Sequence, residues 1–334
     1  RRNLIINGAM QVAQRGTSAI TANGFPVDRF KVDNSSPLGQ YAFSMQQDSS
    51  APAGFHKSVK LTVTTAETSM DSTEQINFRT ILEGQDIAQL NWGTSDAQDA
   101  VLSFWVRSSV TGNHGAAIFA GGLNQQYPFL YNISQADTWE RKTITIPATT
   151  SGTWPTDNGA GMYINWSTGA GSSRLGTPNT WTSTYYSGAT GQVQVAETLN
   201  ATWYITGVQL EVGTVATPFE HRSYGEELAL CQRYFQIGGY CSGRAYSNSN
   251  AEVYYSFPIE MRTTPSISMR GDGDEISMFS GRAHVSGVSN YNITAVSGNA
   301  VANGCSFNIT TQDGLGGGSI VGVRGNFANI DAEL

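Results

Sequence analysis

The chain has 334 residues, 39% of them hydrophobic and only 13% charged, with 37 glycines and a formal net charge of −7. That apolar share supports real cores and excludes a disordered chain, and the length suits two domains better than one. Only four lysines (Lys31, Lys57, Lys60 and Lys142) in an acidic chain argue against a nucleic-acid partner gripped through its phosphates.

Residues 3–8 (NLIING) read as a short apolar strand ended by a turn, and further strands are expected at 28–32 and 41–45. Residues 58–64 (SVKLTVT) alternate, with Val59, Leu61 and Val63 on one face. Residues 74–83 (EQINFRTILE) suit a strand better than a helix, because β-branched and aromatic residues dominate. More strands are expected at 101–108 (VLSFWVRS), at 141–146 (RKTITI, ended by Pro147), at 162–166 and, on an edge, at 192–196. From Trp203 the period is two again: Tyr204, Thr206, Val208, Leu210 and Val212 fall on one side, Gln209 and Glu211 on the other, and Gly213 and Pro218 end the run. Ser223 then stands three residues before Glu226, the spacing of a capping box. Leu228, Cys231, Tyr234 and Phe235 follow at helical spacing as far as Gly238-Gly239.

Beyond that helix the texture changes. All seven tryptophans lie at or before Trp203, and the last segment has five arginines and no lysine. Short strands are expected there at 252–259, 266–270, 292–296, 306–310 and 319–323. The expected fold is all-β: an N-terminal jelly-roll β-sandwich over 1–222, a connecting α-helix at 223–237, and a smaller C-terminal β-sandwich over 238–334. A lone amphipathic helix must pack on a domain or on copies of itself, and a three-fold bundle of 223–237 would bury the stripe. Cys231 reads as core. Cys241 and Cys305 could pair, but three cysteines make no disulfide framework. No apolar run approaches the ~20 residues of a membrane-spanning helix. The opening lacks a signal-peptide pattern and begins at Arg1 without Met, so an upstream part is expected.

Several passages together resemble a family of tailed-phage tail fibre or tail-associated proteins: NLIINGAMQVAQRG at 3–16, DRF at 28–30, LSFWVRSS at 102–109, TWERKTITIP at 138–147, TSGTWPTDNGAGMYINW at 150–166 and ITGVQLEVGTVATPFEHRSYGEELALCQRYFQ at 205–236. The resemblance covers 1–236, the last passage being the most specific, and the jelly-roll part also looks like the carbohydrate-binding modules attached to glycoside hydrolases. It implies a virion component at the host-recognition end, assembled in the host cytoplasm. The partners implied are other tail proteins, host surface polysaccharide and, as is usual for fibres, two further copies in a homotrimer. It carries over no catalytic residue.

For catalysis the residues offer no HExxH, no GxSxG and no Cys/His spacing for a metal. Asp71, Glu74, Glu83 and Asp86 are frequent enough to meet by chance as the carboxylate pair a glycoside hydrolase needs. No cofactor, metal or catalytic residue is therefore expected, with a polysaccharide depolymerase and a purely structural virion protein (capsid decoration or tail connector) as the alternatives. Arg270-Gly271-Asp272 and the acidic run Asp272, Asp274 and Glu275 read as a solvated turn. Sugar binding is the better candidate, because aromatic faces stack on the C–H faces of pyranose rings while amides and hydroxyls bond their hydroxyl groups. The candidate residues are Trp154, Trp166, Trp181, Tyr185 and Tyr186 in a Gly/Ser-rich stretch, and Tyr240 and Tyr246 around the loop CSGRAYSNSN. For Trp154 and Trp166 the competing reading is plain core.

Overall fold

The computed structural model describes residues 2–35, 40–239, 241–247, 250–269, 277–281, 289–301, 303–311, 320–324 and 328–334. Two compact units divide the chain, one of residues 1–227 and the other of residues 228–333. The boundary falls inside the helix expected at 223–237, so that helix is no separate connector. The Arg270–Glu275 turn and Tyr240 lie outside the described residues.

In unit 1 the strands are β1 (Gly24–Val27), β2 (Phe30–Asn34), β3 (Ala42–Asp48), β4 (Ser58–Thr65), β5 (Gln75–Glu83), β6 (Ala100–Ser108), β7 (Gly112–Ala120), β8 (Gln126–Ile133), β9 (Glu140–Ile146), β10 (Ala160–Ala170), β11 (Leu175–Gly176), β12 (Gly188–Ala189) and β13 (Thr202–Val212). They build a six-stranded sheet in the order β1-β2-β5-β10-β7-β8 and a five-stranded sheet in the order β3-β4-β13-β6-β9. Pairing in both is antiparallel, and the chain passes repeatedly from one sheet to the other, as a jelly roll does. One apolar core lies between the sheets, filled by Phe30, Phe78, Phe104, Trp166 and Trp203, all inaccessible to solvent.

Three departures from the expected elements have local causes. Residues 3–8 form no strand, yet they lie along β13, where the Leu4 amide donates to the Leu210 carbonyl (3.0 Å) and the Val208 amide to the Gly8 carbonyl (2.9 Å). Residues 192–196 run into a 3-10 turn at Val195–Glu197 instead of an edge strand. The hairpin β7–β8 is a strand pair that composition conceals: Gly115, Ala117 and Pro128 are poor strand formers. Small residues are required there, because a Cβ on Gly115 would lie 1.7 Å from the Gln192 side chain, and Pro128 is tolerated because β8 is the sheet edge.

Within β13 the alternation read from sequence breaks. Register slips between Thr206 and Gln209, where Gly207 adopts a left-handed φ of +62°. This is a bulge of the kind only glycine enters without strain. Its effect is to put Trp203 and Ile205 in the core together with Val208 and Leu210, while Tyr204 and Thr206 face outward. Tyr204 therefore lies on the face opposite to Val208, not on the same one.

Helix α1 is a single turn (Gly84–Ile87), and α2 spans Tyr224–Gln232. The capping box forms as read: the Ser223 amide and hydroxyl donate to Glu226 Oε2 (2.9 and 2.7 Å), and the Glu226 amide donates back to Ser223 Oγ (3.3 Å). Arg222 holds this turn to the N-terminal segment, donating to the carbonyls of Asn3 (2.6 Å) and Ile5 (3.0 Å) and pairing with Glu227 (3.2 Å). The helix stops at Gln232, earlier than its spacing suggests, because Phe235–Gly238 is claimed as strand β14 by the C-terminal strand.

Unit 2 comprises β14 (Phe235–Gly238), β15 (Cys241–Ala245), β16 (Asn250–Ser256), β17 (Ser266–Met269), β18 (Ser277–Gly281), β19 (Ser289–Val301), β20 (Gly304–Thr311), β21 (Ile320–Arg324) and β22 (Ala328–Asp331). Where a small sandwich was expected, six of these strands close into a barrel, β15-β16-β20-β19-β18-β21, beside the three-stranded sheet β14-β22-β17. Closure follows from β15 pairing with both β16 and β21, which leaves no edge. Of the apolar stripe, Cys231, Tyr234 and Phe235 are buried by their own chain, while Leu228 is half-buried. All three cysteines are free thiols. Cys241, Tyr255 and Cys305 lie in one row on β15, β16 and β20, which puts about 10 Å between the two cysteines, beyond the ~7 Å reach of a disulfide. Burial pushes both thiols up to about 12, with the neighbouring Cys305 adding to the effect on Cys241.

Candidate functional site

Two of the aromatic residues singled out in the sequence meet in unit 1, together with one that was not. Trp154 packs edge-on against Trp92, with ring centroids 4.7 Å apart, and Trp181 meets both, at 5.4 Å from Trp92 and 6.1 Å from Trp154. Tyr127 of β8 backs Trp181 at 5.1 Å. Beside this cluster opens a cleft of about 120 Å³, lined by Ile87, Ala88, Asn91, Trp92, Thr94, Trp154, Pro155 and Thr156. Its floor is aromatic and aliphatic. Its rim is polar, with Asn91, Thr94 and Thr156 all exposed.

The loops that build the cleft are held by their own backbones. Each indole N–H donates to a carbonyl: Trp92 to Gln98 (2.6 Å), Trp154 to Ser151 (3.1 Å) and Trp181 to Pro147 (3.1 Å). Asn91 turns the chain in the left-handed region (φ 52°), and the Thr94 hydroxyl donates to the Asn91 carbonyl (2.7 Å). Gly152 does the same for the opposite wall at φ +86°, in a place where a Cβ would lie 2.4 Å from that of Gln125. The α1 turn is docked on the third wall through the amides of Gly84 and Gln85, which donate to the carbonyls of Gly159 (3.0 Å) and Asp157 (2.8 Å). The cleft is thus prebuilt, so a ligand entering it does not have to order the rings.

The other predicted residues are scattered. Trp166 is fully buried between the sheets, with ring centroids 5.7 Å from Phe104 and 6.3 Å from Phe78, and can stack on no ligand. It belongs to the core because β10 is central in its sheet and Trp166 points inward. Tyr186 packs against the backbone at Gly176 beside Pro128. Tyr185 lies on the outer face of the six-stranded sheet, where its ring meets Phe119 at 5.5 Å, Arg174 at 5.2 Å, and its hydroxyl donates to Gln75 (2.9 Å). Burial raises the pKa of that hydroxyl. Tyr246 is 60% exposed at the turn after β15 in unit 2. Trp92 was missed, although Asn91-Trp92-Gly93-Thr94 has the same pattern of an aromatic among turn formers that marked Trp154.

Two of the four weighed carboxylates have structural work. Glu74 accepts from the Asp71 amide (2.8 Å) across its own turn, and Glu83 is buried and accepts from the Gln85 side chain. Among the described residues no group of three or more His, Cys, Asp or Glu could hold a metal ion. None of the described helices is long and apolar enough to cross a membrane.

No protein-family model matches the chain. No curated protein matches it in sequence. Among solved structures it is similar to the enzymatically active domain of tailspike protein 4 of bacteriophage CBA120, at 14% identity and a TM-score of 0.32, over 63% of this chain and 21% of that one. A family 11 carbohydrate-binding module from Clostridium thermocellum, in complex with a β-1,3-1,4-mixed-linked tetrasaccharide, matches at 12% identity and a TM-score of 0.30, over 60% of this chain and 99% of the module. The N-terminal cellulose-binding domain of a Cellulomonas fimi β-1,4-glucanase matches at 13% identity and a TM-score of 0.24, over 62% and 95%. The chain spans about a fifth of the tailspike domain it matches. Likeness at these values carries no functional assignment.

Proposed function

We propose that unit 1 is a non-catalytic glycan-binding module and that the tryptophan cleft takes one sugar ring. The observation behind this is the pairing of a rigid aromatic floor, Trp92 and Trp154, with the hydroxyl and amide rim of Asn91, Thr94 and Thr156. A pyranose offers both halves of that match: C–H groups for the floor and hydroxyls for the rim. The module serves a tail fibre or related receptor-binding protein that attaches a virion to host surface polysaccharide, a reading supported by the sequence resemblance. A homotrimer is usual for fibres, and light scattering of the intact chain and of Leu228→Asp decides whether one forms through the half-buried end of the α2 stripe.

The test is a glycan array followed by titration with the best ligand, on the parent protein and on Ala88→Trp. Ala88 is half-buried on the cleft wall, so an indole there fills the cleft without entering the core. Binding is expected to fall by about tenfold or more, which is ~1.4 kcal/mol, with melting unchanged. Equal affinity in the two proteins refutes the cleft. Release of reducing ends from host capsule makes the protein a depolymerase, and tight docking to a virion protein without any glycan binding makes it structural.

A further inference from the structure

The outer face of the five-stranded sheet carries a second aromatic surface, with charge. Register places Gln46, Lys60, Tyr204 and Arg107 in one row across β3, β4, β13 and β6. Trp139, just before β9, extends the row, its ring 5.9 Å from that of Tyr204. The Arg107 guanidinium stands 4.9 Å and the Lys60 ammonium 5.6 Å from the Tyr204 ring. The two cations flank one strand and so lie about 10 Å apart, two strand spacings. Trp105, in the next row of the same face, lies with Phe55 over Gly207, the bulge glycine that leaves its outward space to them.

This face is open where the cations stand. Ser44, Gln46, Lys60, Thr62, Trp105, Arg107 and Trp139 are all partly exposed around Tyr204, whose buried ring Lys60, Arg107 and Trp139 cover, and Thr206, Gln209 and Glu211, farther along β13, are buried. Its charge is under-compensated. Arg107 pairs with Asp137 at 3.5 Å and donates to Ser50 Oγ (3.2 Å), while its Nε–H is buried without a partner. Lys60 has no ion-pair partner among the described residues. In a chain of net charge −7 with four lysines, two cations around one ring with one paired carboxylate, Asp137, leave a local excess of positive charge.

We infer that this face is a second binding surface, distinct from the tryptophan cleft, for an anionic polysaccharide bearing carboxylate or sulfate groups. Trp139 and Trp105 would receive the C–H faces of its sugars, Lys60 and Arg107 its anions, and Gln46 and Thr62 its hydroxyls. Single-stranded nucleic acid would also use rings and cations, but two cations neutralise too few phosphates to hold it.

The intact protein should be titrated with dextran sulfate, polygalacturonate, plain dextran and oligo(dT), each at 50 and 500 mM NaCl. Either or both anionic polymers should bind at low salt, weakening by about tenfold or more at high salt as screening removes the attraction. Dextran should not bind this face, and the two anionic arms separate sulfate from carboxylate recognition. Lys60→Gln combined with Arg107→Gln should lower anionic binding by about tenfold, Lys60→Arg should preserve it, and Ala88→Trp should leave it untouched. The last comparison separates failure of this inference from failure of the cleft. No anionic binding, binding unchanged in the double variant, or equal binding of oligo(dT) overturns it; melting curves confirm that each variant is folded.

Discussion

The two aromatic surfaces of unit 1 use the same residue type in opposite ways. In the cleft, tryptophan belongs to the fold: Trp92 and Trp154 are 5% and 8% exposed, with their N–H groups spent on the backbone. On the sheet face, Trp139 is half-exposed and its ring contact is with Tyr204, a residue already supported by two cations. A ring that holds loops together gives a rigid, neutral and shape-defined site. A ring resting on a sheet gives an open site whose selectivity comes from charge. If both surfaces bind as proposed, mutation should couple stability and binding in the first and separate them in the second.

The largest effect that sharpens this contrast is Trp92→Ala, which should cost roughly 3–5 kcal/mol by leaving a cavity among packed rings and should abolish glycan binding; thermal unfolding and titration measure the two losses. Next comes Gly152→Ala, where a side chain in left-handed backbone meets Gln125. A loss of about 2 kcal/mol is expected, with weaker binding in the cleft and none of the loss on the sheet face. Trp139→Ala should cost less, under about 1 kcal/mol, since a half-exposed ring returns little on burial, yet it should weaken anionic binding; a melting temperature as low as that of Trp92→Ala would erase the contrast.

The smallest effects are those of pH. Glu140, beside Trp139, accepts from the Ser134 amide and hydroxyl and the Gln135 amide at 2.9–3.0 Å and pairs with Lys142. Partial burial opposes ionisation, but Lys142, Gln135 and Ser134 together outweigh it and hold the carboxyl down at about 2. A carboxylate lowered in the folded state stabilises it above the unfolded value near 4.5, and that contribution disappears as pH falls from 4.5 towards 2. Stability should drop over that window, and Glu140→Gln should flatten the drop. His114 moves the other way. Burial lowers its pKa, with a contact to the Val110 carbonyl resisting and Lys142 assisting. The folded state therefore favours the neutral ring, and stability should decline as pH falls below the ordinary 6.5 of the unfolded chain. Melting of His114→Gln between pH 7.5 and 5 checks this; an unchanged slope would remove His114 as the cause.

Much of unit 1 was readable because its strands are half-buried. β4, β6 and β9 alternate as two-faced strands must, and the capping box at Ser223 is a purely local pattern. The β7–β8 hairpin was not readable, because its small residues are explained by a loop about 75 residues away that packs on them. Nor was the fate of the tryptophans. Trp154 and Trp166 stand in one passage of similar composition, yet one lines a cleft and the other fills the core, a difference set by which side of the sandwich each backbone position faces. The register of β13 shows the same limit: a period-two count runs straight through Gly207, and only the bulge reveals that Tyr204 faces outward.

By itself the sequence determined the all-β class, the main strands, the capped start of α2 and the presence of aromatic residues among turn formers, because all of these are local patterns of period, propensity and capping. The tertiary structure decided which aromatics meet, where Lys60 and Arg107 converge on Tyr204, and that unit 2 closes into a barrel. Those outcomes depend on pairings between residues tens to more than a hundred positions apart, and no local pattern encodes the register in which such strands meet.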